Sequence, residues 1–116
     1  MAEIEKLLQS KNGNFILYKQ SGIGNNETPY EELRVRSEGE AEKHVVEIRF
    51  DYKGCPRFDG APVHYKYTGV NISHGMRMKA DTLNETLEYI AVLQEAYDFA
   101  NTILRYIEQN EEWLDY

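Results

Sequence analysis

From Asp81 to Tyr116 the chain carries neither glycine nor proline, while residues 1 to 80 hold all eight glycines and all three prolines. That division constrains the fold more than any other feature. A glycine or proline inside a helix costs about 1 or 3 kcal/mol, so only the last third is free to form a long one. Thr82 with Glu85 three positions on is a capping-box pattern, and Asp81 and Glu85 suit the positive end of a helix dipole. Leu83, Leu87, Ile90, Leu93, Tyr97, Ala100, Leu104 and Ile107 recur at helical spacing and define the expected sheet-facing stripe. Continued to Trp113, the helix would span ~48 Å. A compact domain of this size has a radius of gyration of ~13 Å, hence a diameter of roughly 35 Å. The helix therefore either breaks, with Asn101-Thr102 weakest by propensity, or projects and packs on something else. A second copy of the chain is the simplest candidate.

The preceding segment alternates apolar and polar residues. Strands are expected at Phe15 to Lys19, Tyr30 to Arg36, His44 to Lys53 and Val63 to Val70, with a short fifth at Gly75 to Lys79. Leu33 and Val35 oppose Arg34 and Arg36, and Val46, Ile48, Phe50 and Tyr52 oppose Glu47, Arg49, Asp51 and Lys53. Such alternation belongs to an antiparallel sheet with one dry and one wet face. Residues 2 to 9 (AEIEKLLQ) read as a short N-terminal helix with Ile4, Leu7 and Leu8 on one side, stopped by Asn12-Gly13. Ser21 to Asn26 reads as a loop, Ser37 to Lys43 as a charged turn around Gly39, and Gly54 to Pro62 as a connection.

The expected fold is α+β. A four- to five-stranded antiparallel sheet has one face covered by the long C-terminal helix, with a short N-terminal helix. Residues 1–116 form one domain, of which 1–80 are mainly sheet and 81–116 are acidic helix and tail. The expected core comprises Ile16, Leu33, Val35, Val46, Ile48, Phe50, Met76, Met78, Leu87, Ile90 and Leu93.

Charge follows the same division. The chain carries a net charge of -7, yet Asp81 to Tyr116 holds nine acids against one base, Arg105, while residues 43 to 80 hold seven bases against three acids. Cys55 is the only cysteine, so no internal disulfide forms. No apolar run approaches the ~20 residues that span a bilayer, and the N-terminus lacks the apolar stretch of a secretory signal. The expected address is cytoplasmic, away from membranes.

Chemistry-bearing motifs are absent. His44, His64 and His74 lack zinc-site spacing. Cys55 with His64 offers the residue types of a nucleophile and base without a supporting frame. Ser73-His74-Gly75 has no G-x-S-x-G context, and Gly22-Ile23-Gly24 is followed by no Gly-Lys-Ser/Thr. The chain reads as a non-enzyme with no cofactor and no metal.

Two surfaces remain. The acidic helix and tail place Glu108, Glu111, Glu112 and Asp115 at the negative end of the helix dipole, where cations are favoured. Local stability therefore did not select them. Trp113 and Tyr116 lie among them as aromatic anchors suited to a basic groove on a protein partner. The leading expectation is a small binding protein of the inhibitor, immunity or adaptor kind, acting through this acidic helix and imitating nucleic-acid charge. The second surface is the wet sheet face, with Arg34, Arg36, Arg49, Lys53, Lys66, Arg77 and Lys79 among tyrosines, suited to single-stranded nucleic acid. The order of strands then helix resembles that of whirly and coactivator-type single-strand binders. That resemblance implies a homodimer through the helix.

Overall fold

The computed structural model describes residues 3–24, 27, 29–55, 63–75, 83–110 and 113. It has the α+β architecture expected. In chain order the elements are β1 (Glu3–Gln9), β2 (Phe15–Ile23), β3 (Pro29–Ser37), α1 (Gly39–Lys43), β4 (Glu47–Cys55), β5 (Val63–Ser73) and α2 (Leu83–Gln109). The five strands lie in the order β1-β2-β3-β5-β4.

β1 stands where the short N-terminal helix was expected. Its residues pair antiparallel with β2, and a register shift between Lys6 and Leu8 marks a bulge. A bulge lets two successive residues face the same side, so Leu7 and Leu8 both pack against the core. The helix-like spacing of Ile4, Leu7 and Leu8 thus came from an irregular strand. Asn12-Gly13, read as a helix stop, turns the β1–β2 hairpin instead. Gly13 has φ +75°, and an added Cβ would meet the Gln9 side chain at 2.8 Å. β2 also outruns its expected end. Ser21, Gly22 and Ile23 pair with Glu31, Tyr30 and Pro29, so the glycine-rich stretch read as a loop is largely ladder.

β4 and β5 form a second antiparallel hairpin, from Glu47↔Ser73 to Cys55↔His64. The register slips between Asp51 and Tyr52, so inward positions on β5 pass from Tyr65 and Tyr67 to Val70 and Ile72. Among the described residues, the two halves of the sheet meet along two parallel pairs, Tyr30↔Val63 and Glu31↔His64. Beyond them β3 and β5 part. Tyr67 bridges the gap: its hydroxyl accepts from the Leu33 N–H at 2.5 Å and donates to the Leu33 carbonyl at 3.3 Å. Burial, the largest influence, pushes the Tyr67 phenol well above its ordinary pKa, so it remains a neutral donor.

The segment Gly39–Lys43, expected as a turn, is the helix α1. It ends in a Schellman closure, with Val46 N–H on the Ala41 carbonyl and Val45 N–H on that of Glu42. Val45 holds the left-handed position at φ 55°, a conformation natural to glycine and costly for a β-branched side chain. β4 consequently starts at Glu47, three residues later than expected.

α2 runs unbroken through Asn101-Thr102, about 40 Å at 1.5 Å per residue. The molecule accommodates this length by being elongated, with extents of 59 × 28 × 20 Å and a radius of gyration of 16.4 Å. No described helix is long and apolar enough to cross a membrane. The core joins Phe15, Leu17, Leu33, Ala41, Val46, Ile48 and Tyr67 to Val92, Ala96, Phe99, Ile103 and Ile107 of α2, with Trp113 beyond it. Of the expected core, Ile16, Leu33, Val46 and Ile48 are buried and Leu87 is exposed. Val35, Phe50 and Leu93 sit at its margin, and Ile90 is half-buried. Met76 and Met78, the fifth strand and the capping box at Thr82 lie outside the described residues.

Candidate functional site

The sheet-facing side of α2 is not the stripe expected. Of Leu83, Leu87, Ile90, Leu93, Tyr97, Ala100, Leu104 and Ile107, only Ile107 is buried. The sheet instead takes Val92, Ala96, Phe99 and Ile103. Leu83 is 60 % exposed, Leu87 55 %, Tyr97 59 % and Leu104 43 %. Leu83, Leu87, Ile90, Gln94, Tyr97, Asn101 and Leu104 follow one another at alternating steps of four and three residues, the spacing of a coiled-coil seam. At 100° per residue the seam lies opposite the row that meets the sheet. α2 is thus apolar on two sides, with one side covered.

Its orientation is fixed by a buried carboxylate. Glu95 accepts hydrogen bonds from the Ser10 hydroxyl, from the Asn12 N–H at 3.2 Å, and from the Asn14 N–H and side-chain amide at 3.2 and 2.8 Å. Burial by itself would raise its pKa. The four hydrogen bonds more than offset that and hold it below the ordinary carboxylate range. The same Asn14 accepts the Glu40 N–H through its side-chain oxygen, at 3.2 Å. One residue therefore ties the first hairpin turn to both helices.

The second feature is a cleft of about 880 Å³ where β3 and the β4–β5 hairpin diverge. Arg34, Arg36 and Arg49 line it together with Tyr18, Tyr52 and Tyr65. Each arginine has a carboxylate close by in sequence: Arg34 on Glu32 at 3.3 Å, Arg36 on Glu38 at 2.7 Å, and Arg49 on Glu47 at 3.0 Å. The cleft is consequently close to electroneutral. Lys53 and Lys66 stand opposite each other on the β4–β5 ladder and do not line it. Arg77 and Lys79 lie outside the described residues.

The acidic-tail surface is only partly in view. Glu108 is exposed near the end of α2, while Glu111, Glu112, Asp115 and Tyr116 lie outside the described residues. Trp113 is 1 % exposed, with its ring 5.8 Å from that of Tyr67. Its aromatic surface is occupied within the protein and is not offered to a partner. The ladder also sets Cys55 opposite His64.

A third cluster had no signal in the sequence as read. Glu40 and His44, one turn apart on α1 and its C-terminal cap, meet Glu88 of α2. His44 Nε2 stands 3.4 Å from a Glu40 carboxylate oxygen and 3.7 Å from one of Glu88. The spacing of four between Glu40 and His44 has meaning only on a helix, and the sequence predicts a turn at Glu40 and a strand from His44.

No family model matches the sequence, and neither a curated protein nor a solved structure matches it. The likeness to single-strand binders therefore stands on element order alone.

Proposed function

We propose that this protein is a non-catalytic binding module that engages protein through the outward face of α2, and that a second copy of the chain is its first occupant. The observation that carries this reading is the exposed seam of Leu83, Leu87, Tyr97 and Leu104, opposite a helix face already filled by the sheet. Singly exposed leucines are ordinary, but a row at four–three spacing, here interrupted by Gln94 and Asn101, is the pattern of helix pairing. Charge favours the same occupant. The chain is acidic, yet Glu95 is buried toward the sheet and Glu88 is turned to α1, leaving Glu108 in line with the seam and Asp98 at its edge. Antiparallel pairing sets Leu87 of one copy against Leu104 of the other, opposes the helix dipoles and separates the two Glu108 carboxylates. Gln94 and Asn101, polar at seam positions, would fix the register at some cost in stability.

Sedimentation and light scattering across a dilution series test it. The expected result is a dimer at micromolar concentration that Leu87→Glu with Leu104→Glu converts to a monomer with unchanged circular dichroism. A chain monomeric at every concentration, or a dimer untouched by the double substitution, would overturn the reading.

A second reading rests on the cleft. Three arginines and three tyrosines on one opening suit an extended single strand, with rings for bases and guanidinium groups for phosphates. Three ion pairs would have to be exchanged on binding, so affinity should be modest and should fall as salt rises. Titration of a labelled oligonucleotide against the chain and its Arg36→Ala and Arg49→Ala variants decides it.

A further inference from the structure

From the junction of α1 and α2 we infer a binding site for a zinc-class divalent cation, formed by Glu40, His44 and Glu88. It is independent of the helix seam and of the cleft. The three donor atoms, two carboxylate oxygens and one imidazole nitrogen, lie within 4.8 Å of one another. Tetrahedral zinc with bonds of about 2.1 Å places neighbouring donors about 3.4 Å apart. The separations from His44 Nε2 are 3.4 and 3.7 Å, close to that value, and the two carboxylate oxygens, within 4.8 Å of each other, would draw together on an ion.

The state of His44 is the second, independent observation. Its side chain is 11 % exposed, and its Nε2 is shut off from solvent and makes no hydrogen bond. A buried polar atom without a hydrogen bond is destabilising, and an ion bound there would satisfy it. The nearest carboxylate oxygens, at 3.4 and 3.7 Å, make no hydrogen bond to it. Both carboxylates already face the Lys43 ammonium, so a cation is what this point holds. Imidazole with two carboxylates is a borderline-soft set that suits zinc and disfavours magnesium and calcium, which take oxygen cages.

The site is also held in place before any ion arrives. The Tyr89 ring packs 5.1 Å from the His44 ring, and the Tyr89 hydroxyl accepts the Gly75 N–H at 2.9 Å. The His44 N–H closes the turn onto the Glu40 carbonyl at 3.0 Å. Glu40 itself starts from the Asn14 bridge to Glu95. Lys43 is the competitor: its ammonium lies 3.5 Å from Glu88 and 3.9 Å from Glu40. Its side chain is 56 % exposed, so it can swing into water when a doubly charged ion takes the carboxylates. Three protein donors leave the fourth position to water.

The test is calorimetric titration of the full chain with zinc chloride, with cobalt(II) absorption as a readout of tetrahedral geometry. The expected result is one ion per chain, a rise in thermal midpoint with zinc, and no displacement by millimolar magnesium. Glu88→Gln, at a half-exposed position that tolerates change, should weaken zinc at least tenfold, and His44→Gln should remove the cobalt spectrum. Lys43→Ala should tighten binding by removing the competitor. Absence of saturable binding would overturn the inference. So would binding that both Glu88→Gln and His44→Gln leave intact, as expected if the ion sat instead at Cys55 or His64, or a loss of binding in Lys43→Ala.

Discussion

Ile103 and Leu104 are adjacent on α2, yet the first is fully buried and the second 43 % exposed. The same contrast runs the length of the helix between the row Val92, Ala96, Phe99, Ile103 and the row Leu83, Leu87, Tyr97, Leu104. Both rows have helical periodicity and both are apolar. Periodicity alone therefore cannot say which one a sheet will take. One difference between them is polar: Glu95 lies on the inward side, where Ser10, Asn12 and Asn14 offer it four hydrogen bonds. A buried carboxylate, a residue rarely found in a core, thus marks the inward side of the helix.

The comparison can be broken most forcefully at its buried side. Ile103→Ala should cost about 2–5 kcal/mol, since the cavity adds to the lost transfer energy, read from urea melts at a concentration where the chain is monomeric. Glu95→Gln comes next, at about 1.5–3 kcal/mol, the range for hydrogen bonds to a charged group. Because the folded pKa of Glu95 lies below the unfolded value of about 4.3, its contribution is present above that pH and is lost as pH falls through the folded pKa. The substitution should flatten the acid limb of the stability profile below about pH 4.5, and an unaltered limb would show that another group sets it.

A smaller effect of opposite sign is expected at the end of α1. Val45→Gly should stabilise by about 1 kcal/mol, because the residue holds a left-handed conformation in solvent that glycine adopts freely. A destabilised variant would mean that the Val45 side chain contributes packing worth more than the strain. The smallest effect belongs to the outward row. Leu104→Ala should change monomer stability by less than about 0.5 kcal/mol, as exposed substitutions do, while still weakening self-association. Equal costs for Ile103→Ala and Leu104→Ala would erase the distinction between the two faces.

The fold class and most strands were legible because alternation and a glycine-free tail are direct consequences of period two and of helix propensity. The misread elements share a cause, which is tertiary context outvoting a local pattern. β1 carries helix-compatible residues but pairs with β2 around a bulge. α1 is five residues long, too short to show a period, and it ends on a valine where a glycine would have announced the cap. Arg34, Arg36 and Arg49 were found as a set, since their faces follow from alternation. The same alternation puts Glu32 and Glu47 on the side of Arg34 and Arg49 as balancing acids, and the structure pairs them. The Glu40–His44–Glu88 cluster joins residues 44 positions apart, and no short-range spacing reveals such a meeting.

Trp113 is the only tryptophan in the chain, and it sits against Tyr67, the residue that spans the parting of β3 and β5. The protein therefore carries a built-in optical probe at the place where its two half-sheets and the end of its long helix converge. Loosening of that corner, whether the helix end lifts or the halves spread, should redden and dim a single emission band. The junction most dependent on one side chain is thus also the one whose opening can be followed without a label.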